Sequence, residues 1–146
     1  MAAVRGLDCK LYRNTGNYAS PVWNEVDIIK DVTIQLEKAS ADASTRRSRF
    51  REMVGTLKDL GLEFAIKHDR DNADWLAFYE AFFNDTTIEL LALDASSATS
   101  GALGLRFTCE VFSFGQNEEL EGVVFNTVNV KPSAAAENAP EFYEVP

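Results

Sequence analysis

The densest group of potentially reactive side chains lies between residues 68 and 74, where one histidine is followed by three aspartates. An imidazole beside carboxylates can ligate a metal ion or transfer protons. The segment does not match a calcium-binding loop, because the central glycine that makes the sharp turn of such a loop is absent. We therefore predict a structural role, in which Asp71 or Asn72 caps a helix and Asp74 favours the positive end of its dipole.

The rest of the chain offers no arrangement typical of catalysis. It has no Gly-x-Ser-x-Gly nucleophile elbow, no glycine-rich dinucleotide loop and no phosphate-binding Gly-Lys-Ser sequence. Neighbouring carboxylates such as Glu118, Glu119 and Glu121 could be compared with the catalytic pair of a glycosidase, but any acidic chain contains such groups and they do not indicate this activity. Cys9 and Cys109 lie far apart in a chain without a secretory signal, so we predict that both are free thiols. Two distant cysteines and a single histidine are also too few ligands for a structural zinc site. We expect neither enzymatic activity nor a metal or cofactor site.

A second distinctive segment is basic. Four arginines lie between residues 46 and 51 of a chain whose formal net charge is −9. That net charge repels phosphate backbones, so we predict a protein partner for the segment rather than nucleic acid, with a solvated loop as the alternative. In an extended conformation Arg47, Arg49 and Arg51 would share one face and leave Phe50 on the other as an anchor. The candidate interaction residues here are Asp42, Thr45, Arg46, Arg47, Arg49 and Phe50.

The elements that would position these residues are mostly strands, recognised by alternation of apolar and polar side chains. The predicted strands are Leu7–Tyr12, with Leu7, Cys9 and Leu11 facing the core, then Asp31–Lys38, Leu60–His68, Thr86–Leu93, Leu105–Val111 and a last one from Glu119 or Leu120 to Val130. The connections are predicted at residues 14–21, a long exposed loop at 39–51 that includes the basic run, a turn at 55–59 and a flexible hairpin loop at 95–104.

One segment has helical periodicity instead. Its large apolar residues recur at helical spacings and end near Asn84-Asp85. They are Trp75, Leu76, Phe78, Tyr79, Phe82 and Phe83. We interpret this aromatic stripe as a core-packing face, with contact to a neighbouring subunit as the alternative.

Length and composition indicate a single globular domain. The chain has 146 residues, 46% of them hydrophobic and 25% charged. Six or seven strands and one helix, without a βαβ rhythm, predict a mainly β fold of the sandwich or barrel-like kind. We expect residues 1–132 to form the domain and residues 133–146 to be a low-complexity C-terminal tail. No apolar run is long enough to cross a bilayer and no secretory signal is present, so we expect cytoplasmic synthesis.

Several segments together resemble a known family. They are residues 32–36, the loop from Asp42 to Arg46, residues 61–66, the helix with Ala77 and Phe78, and residues 88–94, continued by residues 104–107 and 128–132. Taken in this order, they resemble the major tail protein, or tail tube protein, of long-tailed bacteriophages. The resemblance covers most of the chain.

The resemblance implies a structural protein with a tail-tube fold of one helix and many strands. Six subunits would form a ring, and stacked rings would form a hollow tube through which DNA passes without specific binding. The loop with Thr45 and Arg46 would reach the adjacent ring. The partners would be the chain itself and other phage tail proteins, and the location would be the virion tail, assembled in the cytoplasm of the bacterial host.

Two alternatives stay open from the sequence. The chain is also compatible with the tube protein of a related injection or secretion system, including a prophage remnant, because these machines share ring-forming β subunits. A different class is a small β-sandwich module that binds a sugar or peptide through exposed aromatic side chains, for which the loop residues Tyr18 and Trp23 would serve.

Overall fold

The computed structural model describes residues 3–134 and 138–146, and this part of the chain is mainly β. A short 3-10 turn, Gly6–Asp8, precedes the first strand. The strands are β1 Lys10–Asn14, β2 Trp23–Glu25, β3 Ile29–Asp42, β4 Met53–Lys67, β5 Thr87–Leu93, β6 Leu103–Asn117, β7 Phe125–Pro132 and β8 Glu141–Glu144. The helix α1 spans Ala73–Phe83. The prediction of a mainly β fold with one helix is confirmed.

All eight described strands belong to one antiparallel sheet. Seven of them follow the order β2-β1-β5-β6-β7-β4-β3. The eighth, β8, pairs with residues 103–106 of β6, while β7 pairs with residues 109–117 of the same strand. Since β5 occupies the other edge of β6, β7 and β8 lie end to end along one edge. The segment after Pro132, which the sequence set apart as a tail, therefore contributes a strand to the sheet.

The core lies between one face of this sheet and α1. Side chains from β1, β4, β5, β6 and β7 all enter one buried cluster with the helix, so the sheet curves around it. The segment between β2 and β3 bridges the two ends of the sheet order, because Val26 N–H donates to the Leu11 carbonyl and Lys67 N–H donates to the Ile28 carbonyl, at 2.8 and 2.9 Å. The result is a barrel-like sheet whose open side is covered by one helix.

The helix begins where a side chain satisfies its first free amides. The Asn72 side chain accepts hydrogen bonds from the N–H groups of Asp74 and Trp75 at 2.9 and 3.2 Å. Of the two predicted caps, Asn72 is the one used. The inner side of the helix buries Trp75 and Phe78, and Phe78 meets Phe64 of β4 edge to face at 5.3 Å. The predicted helix and its core-packing face are confirmed.

The first predicted strand is wrong at its start. Residues 6–8 form the 3-10 turn, and β1 begins only at Lys10. The Arg5 guanidinium binds the Asp8 carboxylate at 2.9 Å, and this local pair stabilises the turn. Leu7 and Cys9 are exposed as a consequence, whereas Leu11 is buried as predicted.

The predicted loop at 39–51 is confirmed at residues 43–51 but wrong at residues 39–42, and the predicted turn at 55–59 is wrong. Residues 39–42 continue β3, and residues 53–59 belong to β4. Partners such as Ala41 and Val54 pair across the hairpin, with a bulge near Lys38 and Ser40 that absorbs one extra residue of β4. Backbone pairing along a long hairpin thus overrides the weak strand propensity of alanine, serine and glycine. The connecting loop is confined to residues 43–52.

The later strands also differ from the predicted bounds. β6 continues six residues past Val111 to Asn117, and β7 begins at Phe125 rather than at Glu119 or Leu120. The intervening residues form a turn in which Gly122 N–H donates to the Glu119 carbonyl at 3.3 Å.

No helix in the described residues is long and apolar enough to cross a membrane.

Candidate assembly surfaces

The β3–β4 hairpin extends beyond the part of the sheet that α1 covers. Ile34 and Leu36 pair with Leu62 and Leu60 across the two strands and share the core-facing side of the sheet. Leu62 is 1% exposed, whereas Ile34 is 44% and Leu36 is 55% exposed. We call residues 30–59 of this hairpin the arm. The arm carries a core-type pattern without a covering element.

The arm is unusually apolar for an exposed strand pair. Its exposed large hydrophobic side chains are Val32, Ile34, Leu36, Phe50, Met53, Val54 and Leu57. Isolated apolar side chains are normal on a protein surface, but several on one long hairpin are typical of an interaction surface. An uncovered strand at the edge of a sheet is also a template for association with another chain. β3 is such an edge strand.

The six residues predicted as an interaction loop lie together at the tip of the arm. Asp42 ends β3, and its carboxylate accepts from the Ser44 N–H at 2.8 Å. Hydrogen bonds from the hydroxyl and the N–H of Ser44 lower the pKa of Asp42. The Thr45 hydroxyl accepts from Arg47 N–H at 3.3 Å, and the Arg47 guanidinium reaches both Glu52 carboxylate oxygens at 3.1 Å. These contacts give the tip a defined shape.

The tip is turned rather than extended. Residues 46 and 47 form a turn and residues 49 and 50 a bend, so the one-face arrangement expected for an extended strand does not apply. Within the described residues, Arg46, Arg49 and Arg51 make no ion pair. Phe50 is 82% exposed. The tip therefore presents three free guanidinium groups around an uncovered aromatic ring.

The outer side of α1 is a second uncovered apolar surface. Leu76, Tyr79 and Phe83 are exposed, although Trp75 on the same helix is buried. The three aromatic rings form a continuous ladder, in which Trp75 stacks on Tyr79 at 5.1 Å and Tyr79 lies 4.6 Å from Phe83. Phe114 of β6 adds to it at 5.9 Å from Tyr79. The aromatic stripe thus serves the core on one side and leaves a second side open.

The opposite face of the sheet is polar around β3, β4, β7 and the end of β6. Thr33, Glu63, Asn129 and Ser113 lie side by side across four strands. The next row along contains Lys30, Ala65, Thr127 and Gly115. Most of these side chains are short or acidic and lie at least partly at the surface, and Lys30 of the edge strand adds an exposed cation. Glu37 and Asp59 extend this surface, which we call the polar face, along the β3–β4 hairpin.

A buried ion pair, which no sequence pattern indicates, lies on that same side near β1 and β5. Arg106 binds Glu89 across β5 and β6 and donates to the Tyr18 carbonyl at 2.7 Å. Its guanidinium carbon lies 3.9 Å from the Tyr18 ring centre and 5.2 Å from that of Trp23. The two aromatics that would serve a ligand-binding module therefore cover this pair instead.

A buried asparagine is the second feature that the sequence did not indicate. The Asn126 side-chain oxygen accepts from Trp75 Nε1 at 2.8 Å and lies 3.1 Å from His68 Nδ1. Its amide donates to the Gly115 carbonyl at 3.3 Å. Asn126 thereby connects α1 with β4, β6 and β7. A lone asparagine in a strand has no sequence signature that separates this role from a surface position.

The His68–Asp74 segment is distributed over separate structural contacts. His68 faces Asn126, Asp69 accepts from Asp71 N–H at 3.1 Å, and Asp74 pairs with Arg13 at 2.8 Å. In the described ranges, no three histidine, cysteine, aspartate or glutamate side chains are grouped to hold a metal ion. The capping interpretation of this segment is confirmed through Asn72.

No protein-family model and no curated protein matches the sequence. Solved structures do match. A chain from the tail of an empty gene transfer agent particle with C6 symmetry has a TM-score of 0.75 at 13% identity, with coverage of 97% of this chain and 99% of that one. A chain of the SPP1 tail tube has a TM-score of 0.73 at 13% identity, with coverage of 88% and 75%.

A third structure is more distant. A chain of the anti-feeding prophage baseplate, 6-fold symmetrised, has a TM-score of 0.62 at 10% identity, with coverage of 99% and 97%. At these identities the likeness shows the fold. The tail-tube fold that the sequence resemblance implied is thus confirmed, over nearly the whole chain in the first comparison.

Proposed function

We propose that this chain is a non-enzymatic building block of a tail tube, in which six copies form a ring and stacked rings enclose a passage for DNA. The observation that carries the proposal is the combination of a fold shared with an SPP1 tail tube chain and an arm whose apolar side chains are uncovered. The sixfold symmetry named for two of the similar structures supports the number of copies.

The arm and the outer side of α1 supply the contacts within a ring. They are different surfaces of one molecule, so a contact between the arm of one copy and the helix of the next is head-to-tail. Such a contact closes into a ring when the rotation between copies is right. Ile34 and Leu36 continue the core face of the sheet. The aromatic side chains Tyr79 and Phe83 on α1 of the neighbouring copy would cover these arm residues.

The polar face of the sheet is suited to the wall of the passage. Thr33, Asn129 and Thr127 offer hydroxyl and amide groups, and Glu63 adds a carboxylate. Lys30, at the edge strand, is an exposed cation on this face. Carboxylates repel the phosphate backbone, and short polar side chains give it no strong contact. We assign this face to the lumen, which would let DNA move without specific binding.

Microscopy of the purified chain tests the proposal directly. We expect rings or tubes of uniform bore in negative stain, together with a solution mass that is a multiple of six subunits. The control is a Leu36→Glu variant, which keeps the fold but places a charge in the contact surface of the arm. A wild-type chain that stays monomeric at high concentration contradicts the proposal.

The assembled form would be a virion tail built in the bacterial cytoplasm, with other tail proteins as partners. The likeness to a baseplate chain of the anti-feeding prophage favours one alternative, a tube subunit of a related injection machine. Immunogold labelling of particles released from the producing bacterium separates the two. Label on the tails of DNA-filled heads supports the first, and label on headless particles without DNA supports the alternative.

A further inference from the structure

We propose that successive rings dock by opposite charge, with the basic tip of the arm in one copy seated on the acidic β6–β7 loop of a copy in the next ring. This inference rests on the proposed tube function and names the partner surface of the tip. The acidic loop is defined as residues 118–124, between Asn117 and Phe125. A second copy of this chain is thus the occupant of both surfaces.

The acidic loop has the same construction as the tip with the charge reversed. Glu118, Glu119 and Glu121 are exposed, and in the part of the chain that the structure describes none of them is in an ion pair. Glu119 accepts a hydrogen bond from the Asn117 side chain at 3.2 Å, which leaves its negative charge without a cation. Leu120, at the centre of the three, is 100% exposed.

The two loops carry opposite charges in equal number. The tip carries three unpaired arginines, at positions 46, 49 and 51, around the exposed Phe50. The acidic loop carries three unpaired glutamates around the exposed Leu120. Arginine and carboxylate groups form paired hydrogen bonds, and the two apolar side chains could exclude water between them. The arginines of the tip and the glutamates of the acidic loop have no ion-pair partner in their own molecule, and each set could pair with the other in a second copy.

The sheet places the loops at opposite ends of the molecule. β4 starts next to the tip at Met53 and ends at Lys67, which pairs with Phe125 directly after the acidic loop. At a rise of about 3.3 Å per residue, β4 separates the two loops by roughly 46 Å. The two loops therefore cannot meet within one copy. Contact between them joins the top of one copy to the bottom of another. Because each added copy again presents a free loop, the stack can grow indefinitely, as a tube does.

The charge pattern also sets the direction of stacking. Two rings that meet tip to tip would place guanidinium groups against each other, and two acidic ends would repel in the same way. Like charges brought together at a contact cost free energy, so these arrangements are disfavoured. Only the head-to-tail arrangement satisfies both loops, and every ring then has the same polarity.

Charge reversal tests the docking. The tip-reversed chain carries Arg46→Glu, Arg49→Glu and Arg51→Glu, and the loop-reversed chain carries Glu118→Lys, Glu119→Lys and Glu121→Lys. We expect each chain alone to form rings but to lose at least nine-tenths of the tube length seen for wild type in negative stain. The swapped chain carries all six changes and has the net charge of the wild type. Because its two ends are again complementary, we expect it to form tubes.

Mixing the two reversed chains is the sharper measurement. The tip of the first fits the loop of the second and the tip of the second fits the loop of the first, so we expect mixed tubes where neither chain forms tubes alone. Circular dichroism of each chain checks that it is folded. Wild-type tubes should also shorten as salt rises from about 0.05 to 0.5 M, because the loops are exposed.

The possible failures are distinguishable. Wild-type tubes together with normal tubes from both reversed chains overturn the docking and leave the tube function standing. Loss of tubes in the reversed chains without recovery in the swapped chain and in the mixture also overturns it. A wild-type chain that forms neither rings nor tubes overturns both the docking and the proposed function.

Discussion

The two halves of the β3–β4 hairpin carry the same alternation of side chains in different surroundings. Near β7, Leu62, Phe64 and Ile66 are buried beneath α1. In the arm, Ile34 and Leu36 lie on the same side of the same sheet and remain about half exposed. The comparison teaches that alternation reports which side of a strand is meant to be covered. It does not report whether the cover comes from the same molecule.

Substitutions in the two halves of the hairpin should change the free energy of unfolding by very different amounts. Phe64→Ala should lower the free energy of unfolding by about 3–5 kcal/mol, because it leaves a cavity against Phe78. Leu36→Ala in the arm should cost less than about 1 kcal/mol in the monomer, since half of the side chain is already in water. Urea denaturation of monomeric samples measures both. Equal losses would mean that the arm is covered within one chain.

A buried polar contact should come next in size. Asn126→Leu should cost about 2–3 kcal/mol, because Trp75 Nε1 then lacks its acceptor inside the core. The matched control is Asn129→Leu on the polar face of the same strand, which should change stability by about 0.5 kcal/mol or less. Thermal and urea unfolding of the two variants give the comparison. A small loss at both positions would show that the Asn126 contacts contribute little.

A change in the arm should affect assembly more than stability. Leu36→Glu should weaken self-association at least tenfold, because a carboxylate inside an apolar contact between copies is costly to desolvate. The monomer should unfold at nearly the wild-type urea concentration. Leu7→Glu is the matched control, since Leu7 is exposed outside the arm. Sedimentation velocity measures both, and equal assembly of the two variants would remove the arm from the contact surface.

The smallest perturbation compares the two thiols. Cys9 is exposed, while Cys109 lies in the core, where burial raises its pKa. Because its pKa is raised, the Cys109 thiol stays protonated and unreactive at pH 8, and the surrounding sheet also keeps the reagent away from it. We expect one rapid reaction per folded chain with a thiol reagent and two reactions in urea. Two rapid reactions in the folded chain would show that the core around β6 opens readily.

Much of the fold could be predicted from local patterns. The alternation in β4 and β5 and the helical spacing of the aromatics act over a few residues, and the structure places those elements within one or two residues of the prediction at most ends. The arm could not be bounded in this way. Residues 39–42 and 53–59 have weak strand propensity, and they are strands because they pair with each other across the hairpin.

The candidate surfaces divide along the same line. Side-chain periodicity and charge were enough to predict that the chain is mainly β, that one aromatic helix covers it, and that a basic loop interrupts an acidic chain. The burial of Asn126 and Arg106, the open half of an apolar hairpin and the position of the basic and acidic loops at opposite ends became known only from the folded structure. The physical reason is that burial and distance depend on which segments meet in space, and these partners are separated by tens of residues in the chain.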